Sequence, residues 1–158
     1  MQFVIEKASL SDAKKVNDLL TKLIIDEKKY DENINQNCIV KSFYEKIYDD
    51  ENVCLLVAKT KEKKEIIGYL YGYIRNDGDS TIYKTSVLDA LYVEEKYRKM
   101  GCSKKLIETF KKWSLNSKAR YIELKVCIQN KEAIKLYLKE GLSNQKNYNE
   151  SKNIKFLS

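Results

Sequence analysis

The stretch YVEEKYRKMGCSKKL, residues 92–106, sets Tyr97, Arg98, Lys99 and Met100 before one glycine, Gly101, and follows it with Cys102, Ser103, Lys104 and Lys105. It reads as the end of a strand, a tight basic turn and the start of an amphipathic helix. Such a turn presents backbone N–H groups that no helix carbonyl takes up, at the positive end of the helix dipole. The chemistry it suits is anion binding, with phosphate the natural guest. Taken alone, the turn reads equally well as an ordinary tight connection, because it has neither the P-loop glycine–lysine spacing nor the triple glycine of a dinucleotide turn.

Other reactive side chains narrow the choice. Cys38, Cys54, Cys102 and Cys127 stand singly, so neither a zinc knuckle nor a redox dithiol is supported, and no metal is expected. The chain has no histidine, which excludes Ser-His-Asp and Cys-His machinery and the usual zinc hydrolase sites. Any reaction must use carboxylates, tyrosine, lysine, cysteine or backbone groups.

The elements that would position these groups follow from periodicity. A length of 158 residues, 43% hydrophobic and 34% charged, is the composition of one globular domain able to bury its own core. QFVIEKA is strand-like. Ser9 with Asp12 has capping-box spacing, and Val16, Leu19, Leu20, Leu23 and Ile24 form the apolar stripe of a first helix. CIVKSFYEKIYDD predicts a second, shorter helix from Ile39, Phe43 and Ile47. VCLLVAK and EIIGYLYGYIR predict an antiparallel hairpin. TSVLDALYV is a strand whose two-residue alternation puts Val87, Asp89, Leu91 and Val93 on one face. Leu106, Ile107, Phe110 and Trp113 give a third helix its apolar side. YIELKVCI is a strand, NKEAIKLYLKE a helix that Gly141 ends, and the last residues supply further strand. The order β-α-α-β-β-β-α-β-α-β is a mixed α/β plan.

The net charge of +7 comes from 30 lysines and arginines dispersed among 23 acids, not from a basic arm or stripe, so nucleic acid is not the expected partner. No apolar run is long enough to span a bilayer and MQFVIEKASL lacks the apolar core of a cleavable signal. The expectation is a cytoplasmic protein with no membrane association.

LDALYVEEKYRKMGCSKKL resembles the acetyl-CoA signature of the GNAT superfamily of N-acetyltransferases, with Val93, Tyr97, Arg98 and Gly101 at the matching positions. IQNKEAIKLYLKEGL is similar to the family's second block at Asn130, Ala133, Tyr137 and Gly141, and FVIEKASLSD to its opening strand and helix. Glu95, Leu142 and Ser103 depart from the pattern, where the family has proline, an aromatic residue and glycine or alanine. The resemblance implies a GNAT-like fold, a central mixed and mostly antiparallel sheet flanked by about four helices. It implies acetyl-CoA as co-substrate. Leu91, Tyr92 and Val93 would pair with the pantetheine arm and offer an N–H to the thioester oxygen. The loop of Arg98, Lys99, Met100, Gly101, Cys102, Ser103 and Lys104 would cradle the pyrophosphate, and Asn130 would contact the arm from the other side. The acceptor would be a small-molecule or peptide amine attacking directly in a ternary complex, and a homodimer stays open. Asp89 would act as the base, directly or through water, and Tyr137 would protonate the leaving thiolate. Read from the residues alone, Asp89 suits a buried structural carboxylate equally, and Tyr137 falls on a stripe with Ala133, Ile134 and Leu138 that suits a core position. Asp26, Glu27, Asp31 and Glu32 follow the first helix and could attract a cationic amine, or form a solvated loop. The alternative to an enzyme is a GNAT-fold module that binds acyl-CoA without turnover.

Overall fold

The computed structural model describes the backbone of residues 2–148 and 151–157 and side chains for residues 2–142. Its elements are β1 Phe3–Lys7, α1 Ala13–Glu27, β2 Val53–Thr60, β3 Ile66–Ile74, β4 Lys84–Val93, α2 Cys102–Asn116, β5 Ala119–Cys127, α3 Lys131–Lys139, β6 Ser143–Tyr148 and β7 Ser151–Leu157. The strands form a mixed sheet in the order β1-β2-β3-β4-β5-β7-β6. All neighbours are antiparallel except β4 and β5, which α2 connects as a parallel pair.

Each helix forms where an apolar stripe finds a sheet face. Leu106, Ile107 and Phe110 of α2 are fully buried with Leu56, Leu70, Leu88, Leu124 and Ile134, each such side chain contributing about 1.5–3 kcal/mol on leaving water. Val16 and Leu19 of α1 bury against the other face, with Tyr44, Val57, Tyr69 and Ala90. The start of α1 is fixed as the spacing of Ser9 and Asp12 predicts. The Ser9 N–H donates to Asp12 Oδ2 at 2.9 Å, and Lys59 pairs with the same carboxylate at 2.9 Å.

Three α-helices stand among the described residues, not about four. The predicted helix over CIVKSFYEKIYDD is an irregular segment with one 3-10 turn at Tyr44–Lys46. The reason lies on α1. Asn17 and Thr21 fix this backbone from α1: Val40 N–H donates to Thr21 Oγ1 at 3.0 Å, and Tyr44 N–H, which a helix would give to the Val40 carbonyl, donates to Asn17 Oδ1 at 3.2 Å. Tyr44 then turns inward, completely buried, and meets Tyr69 and Tyr71 edge-on at ring separations of 5.6 and 5.4 Å, a preferred aromatic geometry. Four-residue spacing of apolar side chains could not register these polar contacts.

Two irregularities in β4 prepare the site. Its pairing with β3 runs Tyr71↔Ala90 and then Gly72↔Leu88, so Asp89 is the extra residue of a bulge, a feature that re-aims side chains. Alternation is therefore broken, and the expectation that Val87, Asp89, Leu91 and Val93 share a face does not hold. Leu88, Leu91 and Val93 belong to the α2 side, whereas Ala90 and Tyr92 belong to the α1 side. Glycine is required opposite the bulge, because a Cβ on Gly72 would collide with the Phe110 ring and the Val87 carbonyl. The second irregularity is that β4 pairs with β5 only as far as Val87↔Glu123. Beyond that point the strands part, and β5 continues instead along β7 from Tyr121 to Cys127.

Candidate active site

The parting of β4 and β5 opens a cavity of about 530 Å³ lined by Leu88, Asp89, Ala90 and Leu91 from β4, by Lys125, Val126 and Cys127 from β5, and by Asn130, Ala133 and Tyr137 from α3 and its cap. Leu23, Glu27, Tyr30 and Asp31 close it from the end of α1. Three of the sequence-predicted site residues other than the loop, Asp89, Asn130 and Tyr137, thus meet in one place with Leu91. Tyr92 and Val93 lie one step further along the strand and do not line the cavity.

Asp89 reaches the cavity because the bulge turns it there. The residue is exposed at the mouth of the cavity, and the partial desolvation of its carboxyl there raises it above the usual range, with Lys125 across the opening pulling it partly back. Glu27 is also raised, first by burial and then by the negative charges of Asp89 and Asp31. Tyr137 is 8% exposed. Its hydroxyl has no hydrogen-bond partner among the described residues, and burial, with Glu27 nearby, holds its proton more tightly than an ordinary phenol does. Asn130 is the N-cap of α3, its Oδ1 accepting from the Ala133 N–H at 3.1 Å, which leaves its amide NH₂ for another partner.

The basic turn lies at the end of β4. Gly101 is the N-cap of α2 with φ 81°, and Lys99 is likewise left-handed with φ 60°, so the backbone winds tightly before the helix begins. A Cβ on Gly101 would meet no protein atom within 4 Å; the glycine answers a conformational need. Met100 is exposed and Cys102 buried. Burial pushes the Cys102 thiol up to about 11, so this residue offers a backbone N–H and no thiolate. Ser103 is half-buried, and Lys104 stands outward, 3.9 Å from Glu108. The Arg98 side chain turns back: its Nε donates to the Val93 carbonyl at 2.9 Å and its Nη2 to Asp26 Oδ2 at 3.3 Å. Arg98 thus ties the turn to β4 and α1, and Val93 spends its carbonyl on that tie.

The acids after α1 divide. Asp26 pairs with Arg98, and Glu94 at the end of β4 receives Lys22 at 2.7 Å and Lys15 at 3.3 Å. These contacts fasten the helix to the turn, and Glu27 and Asp31 consequently face the cavity, whereas Glu32 does not line it. Sequence reasoning missed Lys125. Alternation along β5, with Leu124 and Val126 inward, was the available signal for Lys125 lying on the opposite side. It could not show that the adjacent strand departs there. Among the described residues no cluster of three or more acids and cysteines is arranged to hold a metal ion, and no helix is long and apolar enough to cross a membrane.

Residues 20–142 match the model of the acetyltransferase (GNAT) family. No curated protein sequence matches the chain significantly. Among solved structures, a mutant form of the BH1408 protein from Bacillus halodurans is 21% identical with a TM-score of 0.81, covering 92% of this chain and 96% of that one. A GNAT-family acetyltransferase from Streptococcus pneumoniae is 18% identical with a TM-score of 0.78, covering 99% and 100%. The PaiA N-acetyltransferase of Thermoplasma acidophilum, solved with coenzyme A, is 18% identical with a TM-score of 0.71, covering 100% of both chains. At these identities the likeness establishes the fold.

Proposed function

The chain belongs to the acetyltransferase (GNAT) family, and from that premise we propose that it moves an acetyl group from acetyl-CoA to a primary amine by direct attack in a ternary complex. The observation that carries this reading is the opening between β4 and β5, which has an anion-binding turn at one end and Asp89 and Tyr137 on its walls. In this reading the pyrophosphate lies on the N–H groups of residues 98–104 and the pantetheine arm along the free edge of β4 at Leu91 to Val93, with the Asn130 amide opposite. A charge-assisted hydrogen bond contributes about 1.5–3 kcal/mol, so several suffice for micromolar affinity after the entropic cost of binding. The net charge of +7 would steer the anionic cofactor inward.

An alkylammonium must lose its proton before it can attack, at a cost of about 4–5 kcal/mol at pH 7. Asp89 accepts that proton, directly or through water, and its raised carboxyl is better matched to the task than an ordinary aspartate. The nitrogen lone pair then forms the bond to the acetyl carbon, the carbon–sulfur bond breaks with its electron pair leaving on the thiolate, and the nitrogen gives up its second proton to water, to which Asp89 also passes the first. Tyr137 donates its hydroxyl proton to that sulfur and is reprotonated from solvent. The products are the N-acetylated amine, coenzyme A as the thiol, and one proton. A phenol is protonated at neutral pH, so the proton is present for donation; burial, which raises the Tyr137 hydroxyl, adds to the cost of giving it up. Neither cysteine needs to take part: Cys102 is buried, and Cys127 places its Sγ on the Gln129 side-chain oxygen.

A thiol-release assay with acetyl-CoA and a panel of primary amines tests the reading. Release dependent on both substrates is expected. Acyl-CoA binding without release for any amine would replace the enzyme with a binding module.

A further inference from the structure

Three carboxylates, Glu27, Asp31 and Asp89, line the cavity against one cation, Lys125. None of the three belongs to an ion pair among the described residues, unlike Asp12, Glu94 and Asp77, which are paired by Lys59, Lys22 and Arg75. The two lysines between Glu27 and Asp31 do not neutralise them. Lys28 reaches the Glu32 carbonyl and Lys29 lies 5.0 Å from the centre of the Tyr30 ring. The Asp31 N–H donates to the Glu27 carbonyl at 3.0 Å, which sets the two acids one helical turn apart at the C-terminus of α1. That is the negative end of the helix dipole, where further negative charge is unfavourable unless something cationic joins it. A second and separate observation is Tyr137, a polar side chain more than nine-tenths buried that lines the same cavity and whose hydroxyl has no hydrogen-bond partner among the described residues.

We infer that the acceptor is a small aliphatic amine carrying at least two ammonium groups. One is deprotonated beside Asp89 and attacks; the other is held by Glu27 and Asp31. Rested on the acetyltransfer reading above, this assigns Glu27 and Asp31 as the residues that set acceptor specificity. The charge arithmetic supports it: three acids and one lysine leave the wall at −2 when all are ionised, the complement of a diamine. A monoamine of the same length would leave the Glu27–Asp31 pair without a cation, forgoing a charge-assisted hydrogen bond.

The test compares n-butylamine with 1,4-diaminobutane in the wild type and in the Glu27→Gln/Asp31→Asn double variant, with acetyl-CoA affinity measured by calorimetry to establish that the variant is folded. The diamine is expected to have a kcat/KM about tenfold or more above the monoamine in the wild type, and the double variant to lose that preference with cofactor affinity unchanged. Equal use of the two amines by the wild type, or a preference that persists in the variant, would overturn the inference and leave acetyl transfer standing. If no amine is turned over, the acetyltransfer reading fails separately, and calorimetric titration with 1,4-diaminobutane decides. Binding that the double variant abolishes supports the dication site, and no binding to the wild type overturns it.

Discussion

The two ends of the β4–β5 opening are made of different materials. The end proposed to bind the pyrophosphate is one contiguous run, residues 98–104, whose side chains are exposed, buried or turned back as Arg98 is, so that backbone N–H groups are what it offers. The end proposed for the acceptor is assembled from side chains on α1, β4, β5 and α3, namely Glu27, Asp89, Lys125 and Tyr137. A site made of backbone should tolerate changed side chains and fail when φ and ψ change. A site made of side chains should respond to the removal of single atoms.

The largest effect should come from one oxygen atom. Tyr137→Phe is expected to reduce kcat by about 10²- to 10⁴-fold with acetyl-CoA affinity nearly unchanged. Phenylalanine fills almost the same volume, so a folded variant keeping over about half of wild-type kcat, with chemistry rate-limiting, would return Tyr137 to the core. At the other end, Gly101→Val forces a β-branched residue to φ 81°. Coenzyme A affinity should fall by about 100-fold or more, while far-ultraviolet circular dichroism remains native because the turn is exposed. Unchanged calorimetric affinity in that variant would remove the turn from the cofactor site.

Asp89→Asn should lower activity about tenfold at neutral pH and recover part of it as pH rises, since the amine then deprotonates unaided. A deficit equal at every pH would make the carboxylate structural. The same substitution carries an opposite expectation for stability. The folded-state pKa of Asp89 is raised, so the fold favours the protonated form; stability from this group is present below its unfolded pKa and lost as pH rises through the folded one. The uncharged asparagine should therefore raise Tm slightly at pH 7 and not at pH 3. The smallest effect belongs to Ser103, whose N–H and not its hydroxyl is the proposed contact: Ser103→Ala should change coenzyme A affinity by no more than about twofold. A much larger change would mean that the two ends are less distinct than described.

The same contrast governs what was legible in the sequence. Gly101 announces itself because its neighbours in the chain are its neighbours in space, and strands, hairpin and all three α-helices could be read from local periods of two and 3.6 residues. Ser9 and Asp12 form the predicted capping box for a similarly local reason. Asp89 was found by type but misplaced by alternation, since one inserted residue changes the parity of a strand and nothing at Leu88–Ala90 marks the insertion. Glu27 and Asp31 could be read either as loop charges or as acids for a cationic amine, and what local sequence could not show is the ties from Asp26 to Arg98 and from Lys22 to Glu94 that set α1 beside the opening. The failed helix over residues 38–50 had its cause in Asn17 and Thr21, far from the window in which periodicity is counted.

The parting of β4 and β5 places a sheet edge in the middle of the sheet. Successive N–H groups along a strand point to opposite sides, so from Leu88 to Val93 every other amide faces β3 and is bonded, while those between, the bulge at Asp89 aside, face the opening. Amide hydrogen exchange along this strand should therefore alternate between slow and fast, where Ser86 and Val87, paired on both sides, exchange slowly. A cofactor that lies along the free edge would fill the fast positions and level the pattern, turning one buried strand into its own occupancy gauge.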